Sequence, residues 1–301
     1  MKYWARTTSS GDNHPVKALC ENRWEYLKLD ENSTSPPFSL SCKMTAQEMG
    51  FDSLPVNPHH KISIWAPWTP EPPHLHVDIW GKSDTVNPAV TCNQTIEFIN
   101  SNWSQSLHVY TDGSKEASLG RTATAIRISD FRVVRAFRLR NHLSVFSTEL
   151  FAIVLALEWI IEFNPLSMVI LSDSLSALKV LESLQAGCRN DLVLEVWHLV
   201  NIAKWRGLVV DLCWIPAHVG IGGNEACDLA AKLALKLENI TQIPLGPSEI
   251  ISLAKGQIDK KKKWQFQWDS STKGRFCHMV HPDVVPRVKL PMLSRRPGSS
   301  W

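Results

Sequence analysis

The pattern of apolar and polar positions changes sharply at about residue 106, and regular periodicity begins there. Short apolar or alternating runs, bounded by turn-forming residues, predict strands in this part of the chain. In chain order, the runs are Leu107–Thr111, Thr122–Ser129, Val133–Arg140, Met168–Leu171 and Leu208–Trp214. A tight polar turn at Ser129–Arg132 joins the second and third runs.

The clearest predicted helix follows the third strand. Its apolar positions recur at helical spacing, and they are Leu150, Ile153, Val154, Leu157 and Ile161. Ser147 and Thr148 are candidates for its cap, and Asn164-Pro165 ends it. Further helices are predicted at Leu175–Leu184, from Asp191 to about Trp205, and at Asn224–Leu237. The order β-β-β-α-β-α-α-β-α predicts an α/β fold, a mixed five-stranded sheet with helices on both faces.

The sequence on either side of this region has a different character. Residues 1–105 are rich in Pro, Ser, Asn, His and Trp, and they predict an irregular N-terminal region. Within it, four histidines are too irregularly spaced among prolines to predict a metal site: His59, His60, His74 and His76. Residues 238–301 predict a linker at Pro244–Pro247, a basic helix at Ile250–Trp268 that carries Lys260–Lys263, and a flexible tail. The region between the two flanks, 106–237, is the predicted domain.

Composition narrows the function only a little. The chain has 301 residues and a net charge of +3, which permits a nucleic-acid partner without arguing for one. Its seven cysteines contain no C-x-x-C pair, so neither a zinc site nor a disulfide framework is expected. No apolar run is long enough to span a membrane, and the N-terminus lacks the features of a secretory signal. These observations predict a location in the cytoplasm or nucleus.

Four acidic residues occupy strand ends and helix starts: Asp112, Glu149, Asp173 and Asp228. Each alone is explained by a turn or by the dipole of a helix. If the strands share one sheet, these carboxylates can converge at one edge, where their repulsion raises their pKa values unless a cation is present. Hard oxygen ligands suit Mg²⁺, and two such ions can activate a water for displacement at phosphorus.

Five motifs, four of which contain one of these acids, carry a family resemblance. They are Tyr110–Lys115, Ser147–Leu150, Leu171–Ser174, Trp214–Ile221 and Gly223–Asp228. In this order and spacing the sequence resembles the type 1 ribonuclease H family, most closely the version at the end of non-LTR retrotransposon reverse transcriptases. The resemblance implies a ribonuclease H-like fold and a substrate of RNA paired to DNA. It also implies that the RNA is cut to leave a 5′-phosphate and a 3′-hydroxyl.

The resemblance also assigns roles by position. It implies that Asp112 bridges two Mg²⁺ ions, with Mn²⁺ as an alternative metal. Glu149 and Asp173 would complete the shell of the second ion, and Asp228 that of the ion holding the attacking water. In this family the histidine at position 218 assists proton movement and product release, which suits an imidazole. The glycines around it, Gly220, Gly222 and Gly223, predict a mobile loop.

RNA is distinguished from DNA by its 2′-hydroxyls along a shallow minor groove. Ser114, Asn224 and Glu225 are predicted to meet that sugar edge. The short link between Leu184 and Asp191 lacks the basic helical protrusion that cellular members of the family often use to grip the hybrid. Two basic clusters are candidates for binding the hybrid in its place: Lys260–Lys263 and the arginines of the second and third strands. An ordinary solvent-exposed surface explains each cluster equally well. Those arginines are Arg127, Arg132, Arg135, Arg138 and Arg140.

Two other functions stay open at this level. One is a nucleic-acid-binding retroelement remnant with little or no turnover, and the other is a nuclease or strand transferase of the same fold that acts on DNA. A reverse transcriptase region outside this chain is a candidate partner, and residues 1–100 are a candidate for its tail.

Overall fold

The computed structural model describes residues 38–48, 70–77, 87–182, 189–257, 266–272 and 279. The chain divides into two compact units, Met1–Ile251 and Ser252–Trp301. The first unit contains the sheet and all residues of the candidate active site. The lysine run at positions 260–263, His59, His60 and most of the short link before Asp191 lie outside the described residues.

Seven strands form one sheet within the described ranges. They are β1 (His74–His76), β2 (Leu107–Lys115), β3 (Thr122–Ile128), β4 (Val133–Leu139), β5 (Ser167–Ser172), β6 (Val209–Trp214) and β7 (Ile240–Thr241). Their order across the sheet is β1-β6-β5-β2-β3-β4-β7. β3 is antiparallel to both β2 and β4, whereas the other four pairs are parallel. The sheet is therefore mixed, as predicted.

The helices fall on both faces of this sheet. They are α1 (Phe38–Glu48), α2 (Pro88–Trp103), α3 (Val145–Phe163), α4 (Leu175–Lys179), α5 (Asn190–Trp205), α6 (Gly222–Ala234) and α7 (Pro247–Gln257). A 3₁₀ turn at Val180–Glu182 follows α4. One core cluster joins α3 and α5 to Val109 and Ile170, and a second joins α2 and α6 to Tyr110 and Leu171. Successive side chains of β2 and β5 therefore pack in different core clusters, because neighbouring residues of a strand point to opposite faces of the sheet.

Helix α3 is held at both ends by local hydrogen bonds. Its cap is Ser144, whose hydroxyl accepts the backbone N–H of Ser147, so Ser147 and Thr148 lie inside the first turn and are not the cap. Asn164 adopts the left-handed conformation (φ 49°) and ends the helix where Asn164-Pro165 predicted. Because these hydrogen bonds hold both ends, α3 begins at Val145, and Glu149 is its fifth residue.

The α/β class and the order of the central elements are confirmed, but the predicted number of strands is wrong. The sheet gains β1 and β7 at its two edges. These strands have three and two residues, too few to produce a readable alternation in the sequence. Among the described residues, no helix is long and apolar enough to cross a membrane.

Two flanking segments are more ordered than their composition suggests. Residues 88–103, within the region predicted to be irregular, form α2, which Asn87 caps by accepting the N–H of Ala89. Its buried residues, Thr95, Ile99 and Trp103, recur every fourth position, a pattern that asparagines and a proline obscured. Beyond the central domain, Leu245 is 1% exposed, so the predicted linker at 244–247 is packed into the fold.

Candidate active site

The strand register brings two of the four acids side by side. β2 and β5 run parallel, and Thr111 pairs with Ser172 at the point where Asp112 and Asp173 follow. Glu149, the fifth residue of α3, reaches the same place. One carboxylate oxygen from each of the three residues lies within 4.8 Å of the other two. The three carboxylates therefore converge, as the sequence predicted.

Gly113 explains how strand and helix can approach so closely. A Cβ at this position would lie 2.4 Å from Thr148 Oγ1 and 2.6 Å from the backbone nitrogen of Glu149. Only a residue without a side chain fits there. The Thr124 hydroxyl on β3 lies 3.1 Å from the carbonyl of Asp112 and 3.2 Å from that of Thr148, so either can accept its hydrogen. Strand and helix are thereby held in one register.

The cluster is buried, and its electrostatics are unfavourable without a counter-charge. Asp112 and Glu149 are each 6% exposed. Burial, followed by the charges of Asp173 and Asp228, raises the pKa of Asp112 to about 7. Burial, followed by the charges of Asp112 and Asp173, raises the pKa of Glu149 well above its usual range. Both carboxyls are thus harder to ionise than exposed ones, because the loss of hydrating water and the repulsion between the carboxylates disfavour the charged form.

The donor set fits a divalent cation. Among the described residues, Asp112 Oδ2 and Glu149 Oε2 are buried without a hydrogen-bond partner. Unpaired buried carboxylate oxygens are costly in a folded protein, and a bound ion is a usual explanation. Carboxylate oxygens are the hard ligands that Mg²⁺ prefers. Asp112, Glu149 and Asp173 can therefore hold such an ion.

A second potential ligand group lies on α6 and the loop before it. One ligand atom each from His218, Glu225 and Asp228 lies within 4.8 Å of the other two. Asp228 also belongs electrostatically to the first cluster, because its charge raises the pKa of both Asp112 and Glu149. All five predicted catalytic residues are therefore brought into two adjoining groups. Glu225 lies beside His218 and Asp228, and its predicted contact with the substrate sugar stays a prediction.

Lys232 is a neighbour of Asp228 that the sequence reasoning missed. Its ammonium donates to Asp228 Oδ2 over 2.6 Å, one helical turn away. The spacing of four residues between an acid and a lysine on a predicted helix was a readable signal for this pair. In the absence of a bound cation, Lys232 supplies a positive charge at Asp228.

Asn224, which is predicted to meet the substrate sugar, is hydrogen-bonded to the acidic cluster, and the sugar contact stays a prediction. Asn224 is 2% exposed, and its Nδ2 donates to Asp173 Oδ2 over 2.9 Å. Trp214 Nε1 donates to the backbone carbonyl of the same aspartate over 3.1 Å. Asn224 is therefore placed to orient Asp173, since groups behind metal ligands commonly fix them in this way.

Two of the three glycines near His218 lie in α6 and not in the loop that was predicted to be mobile. Gly222 and Gly223 are the first residues of α6, and a Cβ on Gly223 would lie 2.2 Å from the ring of Tyr110. Gly223 is therefore required for close packing. His218 (φ 55°) and Gly220 (φ 93°) adopt left-handed conformations, and His218 is exposed.

Comparison with known proteins identifies the domain. Residues 104–236 match the family model described as RNase H. These residues are a ribonuclease H domain. The Gag-Pol polyprotein of bovine immunodeficiency virus (strain R29) is 32% identical over 150 residues, or 49% of this chain. The match covers 9% of the polyprotein, so the chain spans only a small part of that relative's length.

The arginines of the ribonuclease H domain are largely used within the fold. Arg127 donates to the carbonyl of Gly222 over 2.8 Å, and Arg135 pairs with the Glu162 carboxylate at 3.3 Å. Arg138 is 4% exposed and donates to the Thr122 carbonyl over 2.8 Å. Three of the five predicted phosphate-binding arginines therefore do not form a free basic surface. Ser114 is half-buried on β2, where its predicted contact with the sugar stays a prediction.

Proposed function

We propose that this domain hydrolyses the RNA strand of RNA–DNA hybrids with the help of two divalent cations, normally Mg²⁺. One observation carries the proposal. Within a ribonuclease H domain, the buried carboxylates of Asp112, Glu149 and Asp173 converge within 4.8 Å, and the pKa of Asp112 is raised to about 7. Such an arrangement is unfavourable in itself and becomes favourable around a cation.

The chain's own groups define how the cations would be held. Asp112, Glu149 and Asp173 would hold one side of the site, and Asp228 the other. When bound, a pair of Mg²⁺ ions activates the attacking water and stabilises the leaving oxygen at phosphorus. Asn224 keeps the Asp173 carboxylate oriented through its 2.9 Å hydrogen bond. Lys232 would have to give up its bond to Asp228 Oδ2, or share it, for that oxygen to become a ligand.

His218 is suited to moving protons at this site. Its imidazole is exposed, and it lies within 4.8 Å of ligand oxygens on Glu225 and Asp228. A ring nitrogen there can take a proton from the site and release it to bulk water, or the reverse. We assign His218 an assisting role, because the convergent carboxylates are complete without it.

The proposed substrate is based on the comparisons with known proteins. The family match and the polyprotein relative favour nucleic acid as the substrate, and Ser114 and Glu225 are our candidates for contacting its sugar edge. A retroelement origin, a separate reverse transcriptase partner and a location in the cytoplasm or nucleus are further parts of this proposal. Because three arginines are engaged within the fold, we expect the isolated chain to bind the hybrid weakly.

A panel of labelled substrates tests the proposal. The full chain is incubated with Mg²⁺ and an RNA–DNA hybrid, a DNA duplex or single-stranded RNA, alongside Asp112→Asn and the exposed control Asp130→Asn. We expect cleavage of only the hybrid's RNA strand, with 5′-phosphate and 3′-hydroxyl products, by the parent and by Asp130→Asn. Hybrid binding without cleavage would instead select the non-catalytic remnant, and DNA cleavage would select a DNA-acting relative of the fold.

A further inference from the structure

A glutamate outside the matched ribonuclease H region is bound to the helix that carries Glu149. Glu249 lies in α7, beyond residue 236, and is 4% exposed. Its Oε1 accepts three hydrogen bonds: from the Ser144 N–H (2.7 Å), the Ser144 hydroxyl (3.0 Å) and the Ser147 hydroxyl (2.6 Å). Both serines belong to the start of α3. Glu249 thus holds this helix end through one carboxylate oxygen.

The other oxygen of Glu249 is also fully engaged. Oε2 accepts the Gly246 N–H over 2.8 Å and pairs with Arg189 at 3.1 Å. The Arg189 side chain has no exposed surface, and it pairs with Asp191 at 2.7 Å as well. Buried ion pairs gain little net stability over apolar packing, and their better-attested use is to fix one arrangement.

The helix end held by Glu249 is also the part of α3 that forms the active site. Ser147 precedes Glu149 by two residues, and Thr148 between them packs against Gly113 next to Asp112. Glu149 Oε2 has no hydrogen-bond partner among the described residues. The carboxylate of Glu149 also accepts a hydrogen bond from the backbone of Gly113. Its position is therefore set by β2 and by the N-terminal part of α3, and the start of α3 is held by Glu249.

We propose that Glu249 is a positioning residue for the metal site, acting through Ser144 and Ser147 on Glu149. This inference rests on the proposed function, in which Glu149 is a metal ligand. Residues 243–250 would then contribute to the function of the domain, although they lie outside the family match. Glu249 touches neither substrate nor metal, and it acts only by holding the first turn of α3 against β2.

The test compares Glu249→Gln with the matched control Glu238→Gln, an exposed glutamate in the same segment. An amide at position 249 presents an NH₂ group where the structure needs an acceptor, so the network must loosen. In the metal-free full chain, we expect hydrogen exchange at the amides of Thr148, Glu149 and Leu150 to accelerate by about tenfold or more. Amides in the middle of α3 should exchange at the parent rate, and Glu238→Gln should change nothing.

Calorimetric titration with MgCl₂, without substrate, gives the second measurement. We expect Glu249→Gln to weaken Mg²⁺ binding by roughly 10–100-fold, the range usual for groups that orient ligands. In the cleavage assay, kcat should fall while KM for the hybrid stays near the parent value. A purely structural role would lower the Tm but leave the Mg²⁺ affinity of the folded protein unchanged, and that result overturns the proposal.

A milder variant covers the case in which Glu249→Gln does not fold. Ser147→Ala removes the 2.6 Å hydrogen bond to Glu249 Oε1 and the 2.8 Å contact with the Ser144 hydroxyl, and it leaves Glu249 and Arg189 in place. It should shift exchange and Mg²⁺ affinity in the same directions by a smaller factor, and parent values for both would overturn the proposal. A parent protein that binds Mg²⁺ but leaves the hybrid intact would contradict the proposed function alone, because exchange and metal binding are measured without cleavage.

Discussion

Replacing Asp112 by asparagine should stabilise the metal-free protein at pH 8, although it removes a candidate metal ligand. Burial and the charges of Asp173 and Asp228 raise the pKa of Asp112 from its ordinary value of 3.8 to about 7. Each pKa unit corresponds to 1.36 kcal/mol, so ionised Asp112 lowers the free energy of unfolding by about 4 kcal/mol at most. Asparagine has nearly the same shape and never ionises.

The sign of this effect sets its pH dependence. Because the folded state holds the Asp112 proton more tightly than the unfolded state, the parent is favoured below about pH 4. That contribution is lost as pH rises from about 4 to about 7, and it is constant above. The asparagine variant lacks this titration. Its advantage over the parent should therefore be small near pH 4.5 and should approach about 2–4 kcal/mol at pH 8.

Urea unfolding in the presence of EDTA at pH 4.5 and pH 8 measures both quantities. Asp130→Asn, at an exposed aspartate in the turn between β3 and β4, is the control, and it should match the parent at both pH values. Addition of Mg²⁺ at pH 8 should then stabilise the parent more than Asp112→Asn. If Asp112→Asn is no more stable than the parent in EDTA at pH 8, the reasoning about charge repulsion at this site is wrong.

Three further predictions follow from contacts around the site. Gly113→Ala should lower the free energy of unfolding by about 1–3 kcal/mol in urea, since its Cβ would lie 2.4 Å from Thr148 Oγ1; parent stability would contradict the close approach. Asn224→Ala, which frees Asp173, should weaken Mg²⁺ binding in calorimetry by about 10–100-fold, and parent affinity would exclude the orienting role. Burial raises the pKa of the Cys227 thiol well above its usual range, so peptide mass spectrometry should find it unmodified by iodoacetamide until the protein unfolds.

The convergence of the four carboxylates could be predicted because each lies at the end of a strong local pattern. Asp112 and Asp173 follow apolar runs, and Glu149 lies near the start of a strongly apolar helix. Once these strands are neighbours in one parallel pair, Asp112 and Asp173 must meet at the same edge. The positions of these acids along the sequence, together with the pairing of the strands, therefore determine the site.

Contacts between distant residues could not be predicted in this way. Glu249 is a single acid in a helix, and its partners Ser144 and Ser147 lie more than a hundred residues earlier. Nothing near position 249 indicates burial or a partner, because a lone glutamate on a helix is usually solvated. The sequence therefore gave an incomplete view of the residues that support the site.

Side-chain direction was the other missing information. The alternation along β4 indicates which face each arginine lies on, but not what its long side chain reaches. Arg138 turns inward to the carbonyl of Thr122, and Arg135 lies over the ring of Phe163 at 5.5 Å. Such contacts consume the donors that phosphate binding would need. Charge alone therefore left open whether these arginines bind phosphate or the fold, and for Arg135 and Arg138 the structure shows contacts within the fold.

The central claim is that the converging carboxylates form a metal-dependent site for cutting RNA in a hybrid. The most direct measurement is the single-turnover rate of RNA cleavage in a labelled RNA–DNA hybrid, with MgCl₂ or with EDTA, for the parent and for Asp112→Asn. We predict cleavage by the parent only with Mg²⁺, and a loss of more than about a hundredfold in the variant, beyond the range for groups that merely orient ligands. Cleavage that persists in EDTA, or a variant as fast as the parent, would contradict the claim.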